Sequence, residues 1–161
     1  MTRRSRSERL AGRRSRRGQS LVEFALVAPV FFLVLLAIIE AGRFMFYYET
    51  LNNATREGAR YAIVNGANSL VCPTGPPAPG SVPCDTDGGD VEQRVRDAAF
   101  GVVGAGFTVT RLWHDGTGIE TNNGRGFTVT VTAEYTYDSL VPLVPLPPIT
   151  VKAESSLVVN N

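Results

Sequence analysis

The sequence holds little with which to do chemistry. It has one histidine, His114, and two cysteines, Cys72 and Cys84, in 161 residues, and its acids are scattered. His114-Asp115 with Ser155 or Ser156 supplies the letters of a nucleophilic triad. No nucleophile turn accompanies them, so the reading is a solvated hairpin. Gly101-Val-Val-Gly104-Ala-Gly106 does not follow a strand, which excludes a dinucleotide fingerprint. Asp85, Asp87, Asp90 and Glu92 offer oxygen ligands at calcium-like spacing. The twelve-residue loop with its terminal glutamate is missing, and an acidic turn leading into a helix cap accounts for them. No catalysis, cofactor or metal is expected, and no internal repeat is visible.

Two stretches lack whole classes of residue. Residues 1–18 have almost nothing apolar. They carry eight arginines (Arg3, Arg4, Arg6, Arg9, Arg13, Arg14, Arg16, Arg17) against one acid, Glu8. Such a segment cannot bury a core and is expected to be disordered. The overall charge of +1 conceals this asymmetry. Sixteen basic groups less these eight, and fifteen acidic less one, leave a body of net −6. Arginine blocks often bind nucleic acid. This one directly precedes the second stretch, Phe24 to Ile39, where no residue is charged, and that favours a membrane over nucleic acid. Arginines beside a membrane helix stay cytoplasmic, which puts the body on the far side.

Sixteen apolar residues are slightly short of a span of about 20. Leu21 and Val22 extend the run on one side, and Ala41, Gly42 and the aromatic group Phe44, Phe46, Tyr47, Tyr48 on the other. Aromatics at that place read as an interfacial belt. Pro29 should kink the helix, a defect membrane helices tolerate. The helical pattern continues through Leu51, Ala54, Gly58 and Ala62 to a stop at Asn65-Gly66. From Gln19 to Asn65 that is about 70 Å of helix. Ala54, Gly58 and Ala62 put small residues on one face, which serves helix packing in either of two ways. A partner backbone can approach closely there, or the chain's own sheet can pack on it. Asn53-Ala54-Thr55 fits a glycosylation triplet but falls inside this helix.

Beyond it, residues 67–90 are rich in Pro, Gly, Ser and Asp. Cys72 and Cys84 lie in this loop on the exported side, where a disulfide is favoured over two unrelated thiols. Its ring would contribute about 3 kcal/mol on chain-entropy grounds. Asp90 can cap a helix over 91–103 with Gln93 at the capping-box position, ended by Gly104 and Gly106. Three strands follow: 107–113, then 127–137 with the clearest alternation, then a run from Ile149. Asn123-Gly124 marks a turn before the second. The expected fold class is α+β: a long N-terminal transmembrane helix, then a small antiparallel sheet with one short helix. One face of the sheet is buried and a threonine-rich face is wet.

The stretch Arg16-Arg17-Gly18-Gln19-Ser20-Leu21-Val22-Glu23-Phe24 is the most informative. A basic run ends in glycine, four uncharged residues follow, and Glu-Phe opens the apolar helix. This resembles the processing site of type IV pilins and pseudopilins. The resemblance implies a prepilin peptidase cut between Gly18 and Gln19, with Glu23 as the fifth mature residue beside Phe24. Glycine suits a peptide bond drawn into a protease groove, because a Cβ would crowd it. Two further blocks, Glu40-Ala41-Gly42-Arg43 and Ala54-Thr55-Arg56-Glu57-Gly58-Ala59-Arg60-Tyr61-Ala62, narrow the match. With Val22 to Pro29 they resemble the TadE-like family, minor pseudopilins of the tight-adherence (Tad/Flp) pilus systems. Thr55 departs from the alanine common in that family.

What the resemblance implies is a minor pseudopilin that takes part in assembling, priming or anchoring an adhesive pilus. Its partners would be the prepilin peptidase, sibling pseudopilins and the major pilin, the inner-membrane assembly platform and membrane lipid. The divisions would be a leader over 1–18, the helix over 19–66 and an exported domain over 67–161. The helix would sit in the cytoplasmic membrane, with the mature domain possible in the fibre.

Glu23 has two readings. A carboxylate in an apolar zone costs about 2.5–3.5 kcal/mol, which the new amine at Gln19, one turn away, can offset. Alternatively it complements the helix dipole, worth about 0.3–1 kcal/mol. Ser15-Arg16-Arg17 lacks the apolar residues a twin-arginine signal needs next, and Ile39-Glu40-Ala41 is no small-x-small cleavage site. The rival reading is an unprocessed single-pass membrane protein with a ligand- or wall-binding ectodomain. The mature N-terminus separates the two.

Overall fold

The computed structural model describes residues 6–69, 73–77, 89–102, 106–115, 122–139 and 148–160. It divides into two compact units, Met1–Gly42 and Arg43–Asn161. Cys72, Cys84, Asp85, Asp87 and Gly104 lie outside the described residues, and with them the disulfide and half of the acidic quartet.

Helix α1 runs from Arg6 to Val64 and includes Pro29. Its start corrects the expectation of disorder for residues 6–18 of the basic stretch. Once the apolar segment has formed a helix, each added residue gains a hydrogen bond without a new nucleus. Arg, Leu and Ala are good helix formers, and the basic stretch contains no proline. Its end is where Asn65-Gly66 predicts it. The Asn65 backbone N–H and side-chain Nδ2 both donate to Tyr61 O, at 3.1 and 3.0 Å.

The second unit closes on the last turns of α1. Helix α2 covers Gly89–Ala98, and strands β1 (Phe107–His114), β2 (Thr128–Tyr137) and β3 (Ile149–Val158) form an antiparallel sheet in the order β1-β2-β3. The architecture is the α+β one read from the sequence. Trp113 pairs with Val129 in register, and Ala133 with Ala153. Period-2 alternation sets the buried face. Phe107, Val109, Trp113, Val129, Val131, Ala133, Val151 and Ala153 are inside, while Thr108 and Thr110 are exposed and Thr128, Thr130 and Thr132 half-exposed. Ile149, expected inside, is exposed. It opens β3 opposite Tyr137, at the end of the ladder.

Helix α2 differs from its expected form at both ends. It begins at Gly89, so Asp90 and Glu92 lie in the first turn, where carboxylates complement the dipole. Gln93 does not reach back toward the N-terminus. Its Nε2 donates forward to Asp97 Oδ1 at 2.8 Å. The helix stops at Ala98 rather than 103, and Gly101 (φ 82°) takes the left-handed conformation that ends helices without a Cβ penalty.

The small-residue face of α1 packs within the chain itself. Leu51, Ala54, Ala59 and Ala62 are fully buried. A Cβ built on Gly58 would overlap Val95 Cγ2 of α2 and stand 3.5 Å from Val131 Cγ1 of β2. Thr55 is buried as well, and its hydroxyl donates to Asn52 O at 3.1 Å, so the extra oxygen is satisfied.

At the end of α1 a short segment is pinned over the one tryptophan. Thr74 N–H donates to Asn65 O, Asn123 Nδ2 to Thr74 O at 2.6 Å, and Asn123 N–H to Pro76 O at 3.0 Å. Gly75 has φ 91°, and a Cβ on it would lie 2.6 Å from the Trp113 ring.

Gly58→Ala should therefore destabilise the domain by about 1–3 kcal/mol, because the new methyl has to displace a packed β-branched side chain. Chemical unfolding of the full chain in detergent, followed by Trp113 fluorescence, measures it. An unchanged midpoint would mean that Val95 yields freely.

Candidate functional site

Gly18, Gln19, Glu23 and Phe24 all lie in α1 and are exposed. The helical path puts Gln19 and Glu23 one turn apart on one face, as the i, i+4 spacing requires. Nothing lies within 4 Å of the position a Gly18 Cβ would occupy. The residues that follow are exposed around the whole helix: Leu21, Val22, Phe24, Leu26, Val27, Val30, Phe31 and Phe32, then on to Ile39. A helix apolar on every side belongs in lipid or inside an assembly. Among the described residues one helix, from Gly18 onward, is long and apolar enough to cross a membrane.

The aromatic group at the start of the second unit divides. Tyr47 is half-buried and packs on Tyr135 and Tyr137, with ring centroids at 5.3 and 5.6 Å. Phe44 meets Tyr137 edge-on at 5.6 Å. The Arg43 guanidinium lies over the Tyr137 ring at 5.5 Å and the Tyr47 ring at 5.7 Å, and Nη2 donates to Tyr47 Oη at 3.4 Å. Phe46 and Tyr48 remain exposed. So half of the expected belt grips the sheet instead. Arg43 entered the sequence reading only as part of the Glu40–Arg43 block. The inward alternation of Tyr135 and Tyr137 was the signal that aromatic partners awaited it.

The other polar clusters are structural. Glu92 Oε1 accepts from Arg96 at 2.6 Å, and Oε2 from Arg111 of β1 at 3.0 Å, which ties α2 to the sheet. Both of its oxygens are thereby occupied by guanidinium groups. Among the described residues no group of three or more His, Cys, Asp or Glu could hold a metal ion. His114 Nε2 lies 3.2 Å from Thr130 Oγ1, which is 2.8 Å from Ser156 Oγ. The three form a row across the strands on the wet face, with threonine between histidine and serine.

The geometry defines a class: a membrane-length apolar helix whose last turns belong to a small α+β domain, as in a single-pass membrane protein. Within it, residues 18–60 match the family model described as TadE-like protein. The chain carries a TadE-like segment, consistent with a protein of the Tad pilus system. The match begins at Gly18 and ends at Arg60, so α2 and the sheet lie beyond it. No curated protein and no solved structure matches the chain.

Burial pushes the Tyr135 hydroxyl above the ordinary tyrosine value of 10.0. Tyr47 and Asp138 push the same way and Arg43 opposes them. The neutral hydroxyl is favoured in the folded state, so its contribution is fully present below about pH 10 and is lost as pH rises through the raised folded value. Tyr135→Phe should therefore shrink the loss of stability between about pH 9 and 11. Denaturant midpoints at the two pH values measure it, and equal losses in both proteins would refute it.

Proposed function

We propose that the chain is a minor pseudopilin of a Tad/Flp-type pilus. A prepilin peptidase on the cytoplasmic side removes residues 1–18. The apolar part of α1 then packs with sibling pseudopilins and the major pilin at the inner-membrane assembly platform. The exported domain primes, caps or anchors a fibre used for adhesion. No catalysis by this chain is involved. The observation that carries the reading is the match beginning at Gly18 and continuing through an apolar helix exposed on all sides.

The helical setting of Gly18 gives that residue a second role beyond its missing Cβ. A peptidase needs an extended segment, and the peptide bond at Gly18–Gln19 must leave the helix to be cut. Glycine is less favourable in a helix than alanine by about 1 kcal/mol, so it holds the cut site closer to unwinding.

Gly18→Ala should thus slow processing by at least about fivefold from helix stiffening alone, and further if the groove rejects a methyl. Pulse-labelling in the native host, with N-terminal sequencing of the membrane fraction, reads this directly. A wild-type mature protein that starts anywhere other than Gln19 would sink the proposal and leave the unprocessed single-pass reading.

Glu23 is assigned the pairing role with a mature amine, on its own chain or a neighbour's. Glu23→Gln should then leave insertion and cleavage intact while lowering recovery of the processed protein with its sibling pseudopilins. If the carboxylate only complements the dipole, the change costs under about 1 kcal/mol. Co-purification would then be equal for the two proteins, and Glu23 would lose its assembly role.

A further inference from the structure

Phe100 is 85% exposed, far more than any other aromatic residue of the second unit among those described. It is not on a loose loop. Its neighbours Ala99 and Val102 are buried, and the turn is closed by Ala99 N–H to Val95 O at 2.9 Å and Val102 N–H to Ala99 O at 3.0 Å. The ring is held outward by a fixed backbone. The next residue, Gly101, lies against Phe46 of α1: a Cβ built on it would stand 3.7 Å from Phe46 Cε1. Phe46 is itself 52% exposed, and Met45 beside it 58%. The turn that carries Phe100 and the exposed Met45–Phe46 pair, more than fifty residues apart in sequence, thus lie side by side where Gly101 meets Phe46.

Where that group falls along the chain decides what covers it. A span needs about 20 residues, and counted from Phe24 it ends at about Arg43. Phe46 follows within one helical turn, about 5 Å of rise, and the headgroup layer is of that order in thickness. An apolar side chain fixed beside Phe46 is at the level where aromatic residues meet the boundary between headgroups and acyl chains.

We propose that the turn carrying Phe100, held against Phe46, is a second membrane contact of the chain. The occupant is the headgroup–acyl boundary of the bilayer. A neighbouring protein chain is the alternative that the test must separate. The inference rests on the reading that residues 24–39 lie in a bilayer, so the test carries a control for that reading.

The full chain is reconstituted in vesicles of phosphatidylcholine and phosphatidylglycerol, with and without brominated acyl chains, as wild type, Phe100→Trp and Phe32→Trp. Buried Trp113 supplies the same background in all three. Both variants should show added emission, shifted to the blue and lost on bromination. If only the Phe32→Trp emission is lost, and that of Phe100→Trp is red-shifted as in water, the domain does not touch lipid and the proposal is overturned. A blue-shifted Phe100→Trp signal that ignores bromine but follows the protein-to-lipid ratio means that another chain covers the turn, which also overturns it. If Phe32→Trp is insensitive to bromine, the membrane reading itself fails and takes this inference with it.

Discussion

Between Leu51 and Ala62 the inward face of α1 is built almost entirely from alanine, glycine and threonine, and the second unit closes directly onto it. A larger side chain at Gly58 would collide with Val95. The close approach of α2 and β2 depends on that gap. Once α2 is seated, Glu92 can reach both Arg96 and Arg111, and Arg96 can lie over the Phe107 ring at 5.3 Å. Each of these half-exposed contacts is worth little alone. Their value is in fixing the angle of a ten-residue helix that buries only Val91 and Val95 within its length.

The two ends of the domain's share of α1 are fastened differently. Near Arg43 the fastening is aromatic, with a guanidinium stacked on two tyrosine rings. Near Asn65 it is made of backbone hydrogen bonds, routed through a buried asparagine to the chain at Thr74–Pro76 beside Trp113. Among the described residues, Asn123 Oδ1 and Trp113 Nε1 meet no hydrogen-bond partner. That burial cost is carried by the apolar packing around them.

Much of this was legible in the sequence because the signals were periodic or lay in the local chemistry of helix-stop residues. Alternation over 127–137 gives the buried face of β2 almost residue by residue, and Asn65-Gly66 gives the end of α1. The start of α1 was not legible. Composition speaks of solubility, whereas extension of an existing helix depends on what lies next to it. The end of α2 was misread because the glycines at 104 and 106 looked like the stop, while Gly101, already in the left-handed region, came first. The use of the alanine and glycine stripe could not be chosen from spacing alone, since a sheet of one's own and a foreign helix ask for the same small residues. The residues proposed for processing, Gly18, Gln19, Glu23 and Phe24, stand out only as a pattern of types. No geometric signature was available to add to them, because their surroundings in this chain are open space.

The closing of the domain on one face of α1 changes what the rest of that helix can offer. Beyond Gly42 the small-residue face is spent. What stays outward between Asn53 and Arg60 is Asn53, Arg56, Glu57 and Arg60, polar or charged at every position. A neighbouring chain that runs along α1 therefore meets two kinds of surface in succession. The first is oily and accepts any apolar helix. The second alternates cation and anion, and would penalise a chain of mismatched charge through like charges and desolvation. For any chain packed along it, strength of association and choice of associate would fall to separate stretches of one helix.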